Sequence, residues 1–216
     1  STEDGSGRST LWVGTRGSGL LRFKDGRWNR FTEKDGLPDS WVYSIHERVL
    51  PNGQRELWIG TRNGAARMVD GRWTSFGDGK AIPRSPILAF CETTEPGKPK
   101  QFWIATRGAG LAKEVGKGWQ IITTADGLCN IHVTALLETR DPSGHWLWAG
   151  TYNGLSRLRL DLPSGAWETM GQGALPPLPS NLVYQLAKDD QGRVFVFTHR
   201  GVVRLTPRKP SAQNPS

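Results

Sequence analysis

The chain has 216 residues, 36% hydrophobic and 22% charged, with a formal charge of +8. Such a composition fits one large soluble domain and excludes a disordered or fibrous chain. No apolar run approaches the roughly 18 residues of a membrane span, and two cysteines make neither a disulfide framework nor a metal pattern.

The 28 Lys and Arg are spread along the chain without a block of five like charges. That reads as solvated surface, not as a nucleic-acid footprint or a membrane-inserting segment. Cys91 and Cys129 read as free thiols, and the Cys129/His132 pair does not close a metal site. No phosphate-cradling or metal-loop motif occurs, so no metal and no cofactor are expected.

Residues 1–10 are a polar lead-in without a signal-peptide pattern, and Glu3-Asp4-Gly5 resembles the tail of a lost strand. The first apolar stretch, Leu11-Trp12-Val13-Gly14-Thr15, sets the plan of the rest. It returns at Leu57 to Thr61, Phe102 to Thr106, Leu147 to Thr151 and, worn, at Val194 to Thr198. The copies start at residues 11, 57, 102, 147 and 194. A fixed period in this range marks a repeat architecture.

Each period divides into four short strands, a to d. Strand a reads Trp41 to Glu47, Pro86 to Glu92, His132 to Glu138 and Leu182 to Lys188. Both its faces are apolar or small, as in a strand buried on two sides. Strand b is the Leu-Trp-Ile-Gly-Thr stretch, whose small fourth residue suits close approach of another backbone. Strand c starts at Gly19, Gly64, Gly110, Gly154 and Gly201, with a basic fourth residue: Arg22, Arg67, Lys113, Arg157 and Arg204. A basic stem laid over apolar surface accounts for that stripe. Strand d opens on Trp28, Trp73, Trp119 and Trp167. Asn-Gly and Asp-Gly pairs between strands signal hairpins, and no stretch carries a helical period. Residues 207–216 read as a flexible tail, leaving 11–206 as the repeat domain.

Four antiparallel strands per period describe an all-β β-propeller of five four-stranded blades of about 45 residues. Repeat one lacks strand a and repeat five lacks strand d. The first and last blades are therefore each expected to miss one strand, in a closed five-bladed ring or an arc of a larger one. Trp12, Trp58, Trp103, Trp148, Trp28, Trp73, Trp119 and Trp167 are expected between blades, where large rings fill a widening wedge. Open blade edges favour self-association.

The motifs Leu11 to Thr15, Gly19 to Phe23, Gly26-Arg27-Trp28 with Phe31, Asp35 to Pro38 and Val42 to Glu47 resemble the two-component regulator propeller repeat. The resemblance spans residues 11–206 and implies the sensor part of hybrid two-component or diguanylate cyclase receptors, periplasmic or extracytoplasmic. It implies carbohydrate sensing in many members and carries no catalytic residue.

A non-enzymatic chain is expected. Glu47, Glu92 and Glu138 share one repeat position and read as architectural, not as a glycosidase pair. The four His share no repeat position and lack a nucleophile partner. A glycosidase- or lyase-type propeller is the distant alternative. A scaffold or dimerisation segment without a ligand is the nearer one.

The b–c turns and d–a linkers fall on one face of an antiparallel meander. That places Arg16, Arg62, Arg107, Tyr152 and His199 beside Trp41, Arg84 and Asn130. Arginine forks suit carboxylate or sulfate, and the rings offer stacking planes. The expected ligand is a carbohydrate or other small anion. Solvated turns that merely tolerate Arg are the competing account. Trp41 opens strand a at the mouth of the central channel, either facing a sugar or packed on a neighbouring loop. Trp146 is expected to be an edge contact.

Overall fold

Asp25 and Gly26, and Asp70 and Gly71, all have φ between 49° and 78°. These are the tight turns that Asp-Gly pairs favour, and they fold strand c back on strand d. In a computed structural model, which describes residues 2–3, 9–95, 99–162, 165–170 and 177–205, the chain forms five antiparallel meanders.

Blade one is β1 (Thr2–Glu3), β2 (Ser9–Gly14), β3 (Leu20–Lys24) and β4 (Arg27–Phe31). Blade two is β5 (Val42–Val49), β6 (Arg55–Thr61), β7 (Gly64–Val69) and β8 (Arg72–Phe76). Blade three is β9 (Ile87–Thr93), β10 (Gln101–Thr106), β11 (Leu111–Val115) and β12 (Gly118–Ile122). Blade four is β13 (Val133–Asp141), β14 (Gly144–Thr151), β15 (Gly154–Arg159) and β16 (Trp167–Met170). Blade five is β17 (Val183–Lys188), β18 (Val194–Thr198) and β19 (Gly201–Leu205).

The fold is the expected one, with one correction. Blade one has four strands, because Thr2 pairs with Thr10 and Glu3 with Ser9. Those pairs lie within the stretch read as lead-in. The tail 207–216 lies outside the described residues.

The cores lie in the gaps between blades. The first gap buries Leu20, Leu37, Val42, Leu57 and Ile59, with Trp12, Phe31 and Trp73 against them. The second buries Trp58, Ile87, Phe102 and Ile104, with Phe76, Phe90 and Trp119. The third and fourth repeat the pattern around Trp103 and Trp148. Alternation explains it. In β6, Trp58 and Gly60 face blade three while Leu57 and Ile59 face blade one.

The small fourth residue of strand b sets the spacing. A Cβ on Gly14 would lie 2.7 Å from Val42, and one on Gly150 2.7 Å from Val183. On Gly60 it would lie 2.5 Å from the Ile87 carbonyl oxygen. Contacts that short cannot exist, so at these three junctions the next inner strand sits where a side chain is missing, and at the remaining one it packs on the single methyl of Ala105. Blade five departs from the rule. Phe197 occupies the same place, paired with Val202, and is exposed.

The basic stripe serves the same gaps. Arg22, Arg67, Lys113 and Arg157 lie 5.2–5.8 Å from the centroids of Trp12, Trp58, Trp103 and Trp148, as cation–π partners. Two of the buried indole N–H groups are satisfied inside: Trp103 donates to Thr93 at 3.0 Å and Trp148 to Thr139 at 2.8 Å. Trp58, Trp103 and Trp148 are buried, and Trp12, Trp73, Trp119 and Trp167 are half-buried in the gaps.

Trp28 corrects the expectation for the eighth ring. It is 56% exposed and touches Phe23 of its own blade. Strand-d tryptophans face the preceding blade, as Trp73 faces Phe31, and among the described residues none stands before blade one. Trp146 is also corrected: it is buried, between Arg157 and Arg159, with Trp148 alongside.

Trp58→Ala should lower unfolding free energy by about 3–5 kcal/mol through the cavity it leaves. Trp28→Ala should cost under about 1 kcal/mol, as surface changes do. Urea unfolding of the two variants checks the contrast; equal losses would contradict the assignment of faces.

Candidate ligand-binding face

One face of the arc is built by a repeated backbone clamp. The N–H that opens strand c donates to the linker carbonyl just ahead of the next inner strand. Gly19 reaches Ser40 at 2.9 Å, Gly64 reaches Ser85 at 3.0 Å, Gly110 reaches Ile131 at 2.9 Å and Gly154 reaches Asn181 at 2.7 Å. Side chains on the turns and linkers are thereby held at blade junctions. The repeated Thr at the end of strand b fixes each turn, as Thr61 does by donating its hydroxyl to the Gly64 carbonyl at 2.7 Å.

The junctions come in two kinds. Thr15 to Gly19 and Thr106 to Gly110 close over one residue more than Thr61 to Gly64 and Thr151 to Gly154. In the longer turns a second N–H, from Gly17 or Gly108, joins the first on the same carbonyl at 3.1 Å. Isolated bridges then pair Arg16 with Trp41 and Arg107 with His132. In the shorter turns an Asn faces the linker instead: Asn63 accepts from Arg84 Nε at 2.8 Å, and Asn153 accepts from Asn181 at 3.0 Å.

The eight expected ligand residues all sit on these turns and linkers, but they are not equivalent. Arg62 is held by Asp39 at 3.0 Å and lies 5.1 Å from the Trp41 ring centroid. Trp41 is half-buried between Arg62 and Gly17, so it is packed on loops while keeping one edge open. Arg84 is committed to Asn63. Asn130 accepts the His132 N–H at 2.8 Å, which makes it a turn former. Tyr152 stacks on His132 with centroids 5.2 Å apart. His199 Nδ1 and the Tyr184 hydroxyl are 3.0 Å apart. Arg16 and Arg107 are exposed, with no ion pair among the described residues. Asp39, His132 and Tyr184 were missed. The alternation of turn lengths, visible as Thr-Arg-Gly-x-Gly against Thr-x-Asn-Gly, is the signal that would have found the first two.

The opposite face is knit by charges. Glu138 accepts from the Thr94 N–H at 2.7 Å and lies 2.7 Å from His145 Nε2. Glu92 lies near Arg48, Lys100 and His46 of the neighbouring strands and loop. Arg48 is buried over the Phe102 ring and also reaches Glu56 and Glu114. Arg48 stands where Thr93 and Thr139 stand in blades three and four, so Trp58 donates instead to Glu56 at 2.9 Å. A cleft of about 710 Å³ lies here between blades two and three, lined by Val49, Leu50, Glu92, Lys100, Glu114 and Val115. At Glu92 and Glu138 the shared position thus ties blade to blade, while Glu47 pairs with Arg55 of its own blade at 3.0 Å. Burial pushes the Cys91 thiol up to about 12, far from a nucleophile's range. Cys129 Sγ lies 3.2 Å from the Thr151 hydroxyl, and both thiols are free.

No family model matches the chain, and no curated protein does. Solved structures do. The extracellular domain of BT4673 from B. thetaiotaomicron, described in one structure as a one-component and in another as a hybrid two-component system, matches with a TM-score of 0.66 at 22% and 21% identity. The match covers 89% of this chain and 25% of that one, so the chain spans about a quarter of that structure's length. PorZ of Porphyromonas gingivalis, a surface component of the type-IX secretion system, matches with a TM-score of 0.60 at 17% identity over 91% of this chain and 31% of its own. A streptogramin B lyase matches with a TM-score of 0.58 at 17% identity over 97% and 68%. These likenesses show a propeller fold.

His46 supplies a pH prediction. Burial holds its imidazole below the ordinary 6.5, against the opposing pull of Glu92. Arg48 and Lys100 lower it further and Glu47 raises it. The folded chain therefore prefers the neutral ring. Its contribution is full above pH 6.5 and is lost as pH falls below that value. Thermal melts at pH 7 and 5 should show a drop that is smaller in His46→Gln; an identical drop in both proteins would contradict it.

Proposed function

We propose that the chain is a non-catalytic, ligand-sensing propeller segment of a bacterial signal-transduction receptor, placed outside the cytoplasm. The observation that carries it is a pair of exposed arginines, Arg16 and Arg107, with no ion pair among the described residues, whose backbones form isolated β-bridges with the ring-bearing residues Trp41 and His132 on one face. The receptor setting is supported by the repeat resemblance and by the likeness to an extracellular domain of a two-component system. No helix among the described residues is long and apolar enough to cross a membrane.

The ligand is an acidic or sulfated carbohydrate. A guanidinium fork matches a carboxylate or sulfate, and the open edge of the half-buried Trp41 ring offers apolar contact beside it. Catalysis is not proposed. Glu92 and Glu138 are engaged in ties between blades, and the carboxylate Asp39 is committed to Arg62 and to the Trp41 N–H. Calorimetric titration with an acidic oligosaccharide tests the reading. Arg107→Ala should weaken binding by about 1.5–3 kcal/mol, the range for a charge-assisted contact. Unchanged affinity would remove the ligand face, and shortened oligosaccharide after incubation would restore the enzymatic alternative.

A second reading is a scaffold segment without its own ligand. It rests on the apolar surface of the two end blades. Leu11, Phe23 and Trp28 are exposed at one end, and Tyr184, Phe197 and Val202 at the other. Exposed apolar surface of this kind favours association. Sedimentation should show concentration-dependent self-association that Trp28→Ser or Val202→Asp weakens. A monomer at all concentrations would remove this reading.

A further inference from the structure

The two kinds of junction alternate, so the ligand face has a two-blade period. Residues 16 and 107, 39 and 130, and 41 and 132 are each 91 apart. Their geometry agrees. Asp39 Oδ1 accepts the Trp41 N–H at 2.7 Å, and Asn130 Oδ1 accepts the His132 N–H at 2.8 Å. The Arg16–Trp41 and Arg107–His132 bridges recur in the same place. Each ring lies against a glycine of the preceding turn, Gly17 or Gly108, at positions where a Cβ would stand 3.3 and 3.5 Å away. Each is also packed by the next turn: Arg62 on Trp41, Tyr152 on His132. The linkers repeat as well, since the Thr32 and Thr123 N–H groups each donate to an aspartate carboxylate, Asp35 or Asp126, at 2.8 Å. The junction between blades two and three breaks the series. Its turn is shorter, and its guanidinium, Arg62, is already neutralised.

We propose that this face carries two equivalent stations, at the first and third blade junctions, and takes a repeating polyanionic oligosaccharide that spans both. This rests on the reading of the face as the ligand site. Each station offers one guanidinium without an ion pair among the described residues and the edge of one ring held in place from two sides. Such a pair receives one acidic sugar, with the acid on the fork and the sugar against the open edge of the ring. Rings fixed beforehand lose little freedom on binding, so affinity is not spent on ordering them. Two receivers of like geometry on one arc match a ligand whose acids recur at fixed intervals. The second engagement is then intramolecular and raises affinity without any new contact. Trp41 and His132 differ in ring size and Asp39 and Asn130 in charge, so the stations are alike in geometry and unlike in strength. The second station, without the Asp39 carboxylate, is the stronger for an anion.

The test is calorimetric titration of the full chain with size-graded oligogalacturonates and chondroitin sulfates. The shortest fragments should bind two per chain. Fragments long enough to bridge the stations should bind once, at least about a hundredfold tighter, the lower edge of a chelate gain. Arg16→Ala and Arg107→Ala should each remove one short-fragment site and the whole length gain, while Arg200→Ala, on the blade-five turn outside both stations, leaves both intact. These side chains are exposed turn residues, and unchanged melting temperatures would confirm folding. A single short-fragment site that only Arg107→Ala abolishes overturns the paired stations and leaves the ligand face standing. Absence of binding by either series at millimolar concentration overturns both.

Discussion

The structure depends on one steric condition: a blade can lie on its predecessor only where the fourth residue of strand b carries almost no side chain. Gly14, Gly60, Ala105 and Gly150 meet it. At the glycines the inner strand of the next blade occupies the space a Cβ would take. Everything outward follows from that contact. The gap opens away from it, tryptophan rings fill the opening, and a cation lies on each ring. Because each blade touches only its neighbours, stability is a sum of neighbouring gaps and not the property of one central core.

That condition was legible in the sequence because it uses letters that recur. The strand period, the Asp-Gly turns and the paired faces of strand a all repeat, and repetition averages out local noise. Trp28 and Trp146 escaped because burial belongs to position in the arc, not to the motif. Trp28 matches Trp73 letter for letter, yet it faces no described blade. Trp146 falls outside the repeat but is enclosed by Arg157 and Arg159 from strand c. A motif names which face a ring points to; only the neighbours decide whether that face is covered.

The ligand face was legible in outline and not in detail. The sequence placed eight residues on one side. It could not distinguish a guanidinium already held by a carboxylate from one facing solvent, because Asp39 reaches Arg62 across a blade junction. It also presented Asn130 as a ligand group, although its amide oxygen is spent on the backbone two residues on. The turn lengths were in plain sight, but a one-blade period hides a two-blade one.

Phe197 gives the arc a direction in which it can grow. A blade inserted between blades four and five would find Gly150 on one side and offer its own small residue on the other, so the contact rule would be met twice. The same blade placed after blade five would bring a Val or Ile of its inner strand onto a phenyl ring. Duplication of internal blades is therefore accommodated ahead of residues 183–205 without any change within them. A copy of an internal blade set ahead of residue 183 meets the contact rule with Phe197 left unchanged.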